Sequence, residues 1–271
     1  LVEPMAALAV AATATQHAAL GTCVLQLPLR DPATVARQAN TLQHLSEGRF
    51  VLGLGVGSHP GEYEVAGVDY SRRGRLLDQG IASVTALWRT AGDPDHRYRL
   101  EPETTEIPIW LAGSSDAAVQ RAARVADGWV PMFIPPPEYA QRHARLGELA
   151  HQAGRRPSDI IASVLVIVRT GESREAAAEA GTRWLSELYS LPPKAFERHL
   201  VAGTPEDCAA AIAAYREAGA DHVVVMVAGD EAIEHFGQLM GAAGTSPSAR
   251  TGAQESNLVP LGPLERLGVA P

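Results

Sequence analysis

Apolar runs of strand length alternate with amphipathic stretches of helix length through most of this chain, and the alternation constrains the fold more than any single residue does. The apolar runs fall at 20–27, 50–56, 107–112, 128–133, 160–168 and 222–228. Helical patterns lie between them at 32–45, 71–89, 115–126, 136–153, 174–189 and 205–218, with further helices at 4–15 and 231–242. Strands apolar on both faces belong to a parallel sheet covered by helices. Repeated βα units of this kind predict an α/β fold, either a doubly wound sheet or a (β/α)8 TIM barrel. Six strands are visible where a barrel has eight, so the barrel reading places the start of the chain after the first two strands. Leu1 in the place of an initiating Met is expected to mark a truncated or processed start.

The helix ends carry their own signals. Over 71–89, Leu76, Leu77, Ile81, Val84, Leu87 and Trp88 share one face, and Ser71 is placed to cap the start. Thr204-Pro205-Glu206-Asp207 supplies a cap, a proline at the first helical position and first-turn acids, and Gly219 closes that helix. Residues 1–243 therefore read as one barrel domain with an insertion at about 91–106, including a hairpin near 96–101, and residues 244–271 as a flexible tail.

Composition narrows the partners. No apolar run approaches the roughly 20 residues of a membrane span. The net charge of −8 comes with scattered basic residues, which argues against nucleic acid or anionic lipid and for a small-molecule ligand. Cys23 and Cys208, the two cysteines, are far apart and suit free thiols in a reducing cytoplasm.

The run at 50–56 and the residues after it raise a specific question. On a strand, Gly53, Gly55 and Gly57 share one face while Phe50, Leu52, Leu54 and Val56 share the other. A glycine face serves close approach by a ligand or another backbone, or relieves crowding inside a tight barrel. A dinucleotide fingerprint is excluded, because the third glycine position falls on Ser58 or Pro60 and no helical pattern follows until about residue 71. A second candidate is Gly113-Ser114-Ser115-Asp116, where a strand gives way to a helix: either an anion site at the helix N-terminus or an ordinary serine cap. The nine histidines show no metal-ligand spacing and neither Ser58 nor Ser114 lies in a nucleophile-elbow motif. His59, beyond the C-terminal end of a barrel strand, is the best-placed titratable group, because barrel active sites are built on that rim. Tyr63, Glu62 and Glu64 are weaker candidates from the same loop.

Taken together, these segments resemble one family, the bacterial luciferase-like oxidoreductases, which bind FMN or the deazaflavin coenzyme F-420 in a (β/α)8 barrel. LGTCVLQLPLRDP at 20–32 and ARQANTLQHLSEGRFVLGLGVG at 36–57 are similar to the family's third and fourth βα segments. YSRRGRLLD at 70–78, IPIWLAGSS at 107–115 and ADGWVP at 126–131 look like its later blocks, and GTPED at 203–207 with AYREAGADHVVV at 214–225 like the approach to its last strand.

The resemblance implies cofactor contacts at Thr22, Cys23, Val24, Gly55, Gly57 and Ser58. The Cys23-Val24 link matches a bulge that often holds a non-proline cis peptide. Gly113, Ser114 and Ser115 match a loop that holds the cofactor phosphate. Reduced FMN would imply insertion of one oxygen atom into an organic substrate; coenzyme F-420 would imply hydride transfer. The Arg-rich, Lys-poor composition, in which Lys194 is the single lysine, fits a high-GC genome and keeps the deazaflavin open. His59 is the expected catalytic proton donor and Tyr63 an expected substrate contact. A flavin reductase or an F-420-reducing partner, and a homodimer, are also implied. Two other readings stand beside this one: a non-catalytic flavin-binding barrel, and a barrel lyase or isomerase taking a phosphorylated substrate at 113–115.

Overall fold

The structure, a computed structural model, describes residues 3–89, 100 and 106–244. The expected hairpin near 96–101 and the expected tail fall, but for Leu100 and Gly244, outside the described residues. Two compact units divide the chain between residues 112 and 113.

The first unit runs α1 (Pro4–Ala14), β1 (Leu20–Gly21), β2 (Leu25–Gln26), α2 (Pro32–Leu45), β3 (Phe50–Gly55), α3 (Pro60–Val65), α4 (Arg73–Arg89) and β4 (Ile109–Ala112). All strand pairs are parallel: β1 and β2 both pair with β3, which also pairs with β4 in the register Leu52↔Ile109. Phe50, Leu52, Leu54 and Leu111 are fully buried, together with Leu42 of α2 and Leu77 and Val84 of α4. This is the helix-covered apolar sheet that the runs predict. The start of β3 is fixed by Gln43 of α2, whose Oε1 accepts from Phe50 N (3.1 Å) and whose Nε2 donates to Glu106 O (2.8 Å).

Two details differ from the sequence reading. The helix expected over 71–89 opens as a 3-10 turn, Tyr70–Arg72, before α4, and its cap is Asp69 rather than Ser71. The Asp69 carboxylate accepts from both Ser71 N (2.9 Å) and the Ser71 hydroxyl (2.7 Å), so the serine is the capped residue, not the cap. The segment after β3 also contains α3, whose six residues with Pro60 in the first turn are too short to show a period.

Helix α1 depends on one side chain from outside it. Arg49 Nη2 donates to Ala12 O (3.1 Å) and Thr15 O (2.9 Å), while Nη1 reaches Thr15 Oγ1 (3.1 Å) and Ala18 O. These carbonyls at and beyond the helix C-terminus have no partner within the helix, and a cation is favoured there. Arg49→Ala is therefore expected to lower stability by about 2 kcal/mol in urea denaturation. Hydrogen exchange should quicken first in α1; unchanged protection there would show that Arg49 does not hold the helix.

The second unit runs α5 (Asp116–Val125), β5 (Gly128–Val130), α6 (Pro136–Gln152), β6 (Ile161–Thr170), α7 (Arg174–Tyr189), β7 (Leu200–Gly203), α8 (Pro205–Glu217), β8 (His222–Val227) and α9 (Ala232–Ala242). Strand β6 is the spine. Its first residues pair with β5, Gly128↔Ile161 and Trp129↔Ala162, and Ser163–Val168 pair with the whole of β8. Ile167 and Val168 pair at once with β7 and β8, so those two strands flank β6 on opposite edges. The sequence reading missed β7, which has only four residues. Helix α8 begins as expected, with a reciprocal capping box between Thr204 and Asp207 and Pro205 in its first turn.

Candidate functional site

The first group of predicted residues is built by a register change along β3. From Gly21↔Val51 to Leu25↔Leu54 the outer chain advances four residues while β3 advances three. That extra residue is a β-bulge, and within it the Cys23-Val24 peptide is cis, as the resemblance implied. The run read as one strand over 20–27 is thereby split into β1 and β2.

The bulge explains the glycine face. A Cβ on Gly53 would lie 1.8 Å from Thr22 O, one on Gly55 2.6 Å from Val24 Cγ2, and one on Gly57 2.7 Å from Gln26 Nε2. Residues 22, 24 and 26 thus lie over residues 53, 55 and 57, one per glycine. The face is occupied by the chain itself: Gly53 admits a neighbouring backbone, Gly55 and Gly57 admit its side chains. Gly57 also has φ +73°, a conformation that residues with a Cβ adopt only with strain. Thr22 is buried and its hydroxyl donates to Gly53 O (2.7 Å), locking bulge to strand. Cys23 is exposed at the turn of the bulge, yet the surrounding protein desolvates its thiol and pushes it up to about 11. It stays protonated at neutral pH and is a poor nucleophile.

Past the end of β3 the chain presents Ser58, exposed, and His59, half-buried. Ser58 Oγ and His59 Nδ1 are 3.2 Å apart. When the hydroxyl donates, the proton of the neutral imidazole sits on Nε2. The loop is pinned from below by two tyrosines: Tyr63 donates its hydroxyl to Val56 O, and Tyr70 donates to Ser58 O (3.3 Å). Their rings meet edge to face at 5.2 Å, and the Arg73 guanidinium lies 4.0 Å over the Tyr70 ring. Tyr63 is fully buried, and burial raises its phenol above the ordinary tyrosine range. In this structure it packs beneath the loop and exposes no surface to a substrate. The sequence reading missed Tyr70 and Gln26, which donates to Glu62 Oε2 (2.8 Å). The signal for Gln26 was its two-residue spacing from Val24, opposite the spacing of the glycines.

The second group lies in the second unit. Gly113 has φ +121°, and its carbonyl accepts from Trp129 Nε1 (2.8 Å). The indole is itself fully buried and stacked on Tyr139 at 5.3 Å. Ser115 caps α5, its hydroxyl oxygen accepting from Ala118 N (3.3 Å), so the capping role considered for it is present. Asp116, the first residue of α5, is paired with Arg142 of α6. The leading N–H groups of α5 and the Ser114 and Ser115 hydroxyls are donors that suit a phosphate, and Gly113 keeps side-chain bulk away from them. A groove of about 670 Å³ between α5 and α6 is lined by Asp116 and Arg142 but by none of the other residues of this group. Among the described residues no helix is long and apolar enough to cross a membrane.

The model of the luciferase-like monooxygenase family matches residues 2–222. A phthiodiolone/phenolphthiodiolone dimycocerosates ketoreductase of Mycobacterium kansasii is 28% identical over 263 residues, covering 76% of this chain and 71% of that protein. The chain spans about half the length of further mycobacterial ketoreductases, matching 51% of each. Among solved structures, a monooxygenase of Streptomyces bottropensis superposes with a TM-score of 0.73 at 23% identity, over 89% of this chain and 82% of that one. An F-420-dependent secondary alcohol dehydrogenase bound to an F-420–acetone adduct gives 0.75 at 20% identity, over 89% and 84%. These likenesses establish the fold as α/β of the incomplete (β/α)8 type. The chain belongs to the luciferase-like monooxygenase family of flavin- or F-420-dependent oxidoreductases.

Proposed function

We propose that the protein transfers hydride between coenzyme F-420 and the carbonyl or carbinol carbon of a small organic substrate. The observation that carries this reading is the similarity to a ketoreductase over three quarters of the chain, to which the F-420-dependent alcohol dehydrogenase adds likeness of fold.

Each unit presents residues that suit a part of such a cofactor: in the second, the donors of Gly113, Ser114 and Ser115 at the N-terminus of α5 suit a phosphate, and in the first, the bulge at Thr22, Cys23 and Val24, with Gly55, Gly57 and Ser58, suits a flat ring. When bound, the deazaflavin supplies the hydride. The chain's own task is then to supply a proton to the substrate oxygen as it gains charge. His59 would do this as its imidazolium, with Nδ1–H donating to Ser58 Oγ and Nε2–H passing to the substrate oxygen, which leaves the neutral ring. Cys23, a neutral thiol, contributes packing rather than covalent chemistry. A separate reductase regenerates the reduced cofactor, and the protein acts as a homodimer.

The test is a titration of the purified protein with F-420, FMN and reduced FMN, following tryptophan fluorescence and cofactor absorbance. Saturable binding of F-420 with reduction of simple ketones is the expected result. Preference for reduced FMN with oxygen uptake would move the chemistry to oxygen insertion. Tight binding without turnover would make the protein a non-catalytic binder, and phosphate-ester binding with no change in cofactor spectrum would favour a lyase or isomerase.

A further inference from the structure

Within the first unit, the loop that carries Ser58 and His59 is anchored at two points, and only one of them is needed to hold the fold. The chain leaves β3 and turns at Gly57, whose φ of +73° suits glycine alone. A glycine leaves the backbone free to swing, so the residues beyond it need an anchor of their own. Two phenols provide anchors, one on each side of the turn. Tyr63 of α3 donates to Val56 O, the carbonyl of the peptide that enters Gly57. Tyr70, the first residue of the 3-10 turn, donates to Ser58 O (3.3 Å), the carbonyl of the peptide joining Ser58 to His59. A peptide unit is planar, so a bond to that oxygen restrains the ψ of Ser58 and the φ of His59 together. One hydroxyl thus bears on both members of the pair whose Oγ and Nδ1 meet at 3.2 Å.

Tyr70 is itself held firmly. Its ring meets Tyr63 edge to face at 5.2 Å, and the Arg73 guanidinium lies 4.0 Å over its face. Arg73 Nη1 also donates to Tyr70 O (3.0 Å), and the Asp69 carboxylate closes the turn on Ser71. These contacts engage the ring and the main chain and leave the hydroxyl for Ser58. The two phenols differ in depth. Tyr63 is fully buried, so removing its hydroxyl withdraws a donor that water does not replace. Tyr70 is half-buried and its bond to Ser58 O lies at the surface, where water can take over both groups. Its hydroxyl therefore contributes direction rather than stability.

Resting on the reading of His59 as proton donor, we infer that Tyr70 is the positioning residue of that imidazole, acting through the Ser58–His59 peptide and not on the substrate. A proton donor displaced by a fraction of an ångström from its line of transfer loses rate without losing ground-state binding. Tyr70→Phe, which keeps the ring, its contact with Tyr63 and the cation above it, isolates the hydroxyl.

The experiment compares full-length wild type, Tyr70→Phe and Tyr63→Phe. In the cofactor-free protein the imidazole Cε1–H signal of His59, assigned by its loss in His59→Gln, is followed by NMR. Tyr70→Phe should move or broaden that signal while the melting midpoint stays within about 2 °C of the wild type, whereas Tyr63→Phe should melt about 4 °C lower or more. With reduced F-420 and simple ketones, Tyr70→Phe should lower kcat about tenfold and leave KM and the F-420 Kd within about twofold. A protein carrying both His59→Gln and Tyr70→Phe should be no slower than His59→Gln alone, because the two act on one proton transfer. An unmoved His59 signal, fully additive losses, or a Tyr70→Phe protein that melts as low as Tyr63→Phe would overturn the assignment. A moved His59 signal in a protein that neither binds F-420 nor reduces ketones would retain Tyr70 as the anchor of the imidazole and overturn the hydride-transfer reading.

Discussion

A Gly53→Ala protein is expected to lose about 3 kcal/mol or more of stability and to melt roughly 10 °C below the wild type. The methyl group would lie 1.8 Å from Thr22 O. That atom is main chain, so no rotamer change removes the clash; the bulge must lift from β3 or β3 must bend. Either movement breaks the Thr22 hydroxyl bond to Gly53 O (2.7 Å), and the buried Thr22 has no water to replace it. The bulge also shapes the surface proposed to support the cofactor ring, so cofactor binding should weaken together with stability. Gly61→Ala is the internal control. A Cβ there meets nothing within 4 Å, and the position lies inside α3. Alanine should leave stability unchanged or raise it by up to about 1 kcal/mol. Thermal melts of the two variants followed by far-ultraviolet circular dichroism decide the matter: equal midpoints would mean that the glycine face is dispensable.

The second large effect is expected at His59. His59→Gln keeps a polar side chain of similar reach but cannot donate a proton as a general acid. Ketone reduction should slow by about a hundredfold or more in kcat. The F-420 titration should change far less than turnover, because the imidazole meets the proposed ring surface through the Ser58 hydroxyl. Ser58→Ala removes the partner 3.2 Å from Nδ1 and should produce a smaller loss, because the ring keeps its acid but loses a bond that orients it. Unchanged turnover in His59→Gln would remove the imidazole from the mechanism and shift the proton to solvent or to the substrate itself.

The glycine face and the start of α8 were legible because they follow from local spacing. The two-residue repeat of Gly53, Gly55 and Gly57 shows in any reading of the chain as a strand, and Thr204-Pro205-Glu206-Asp207 announces a helix start on local chemistry alone. Tyr63 shows where that kind of reasoning stops. As a polar aromatic in the candidate loop it reads as a substrate contact, but its depth depends on α3, a helix too short to leave a periodic trace. Ser71 is a similar case: the competing acceptor, Asp69, is two residues away, and only the folded geometry shows which side chain caps and which is capped.

By itself the sequence determined the alternation of buried parallel strands with covering helices, the cap of α8 and the family, because each rests on local spacing or on ordered motifs along the chain. Tertiary structure decided what fills the glycine face, where the strand over 20–27 breaks, and that β7 exists. All of these depend on pairings between residues far apart in the chain. The glycines fix how much room there is, but only the neighbouring strand's register says that Thr22, Val24 and Gln26 occupy it.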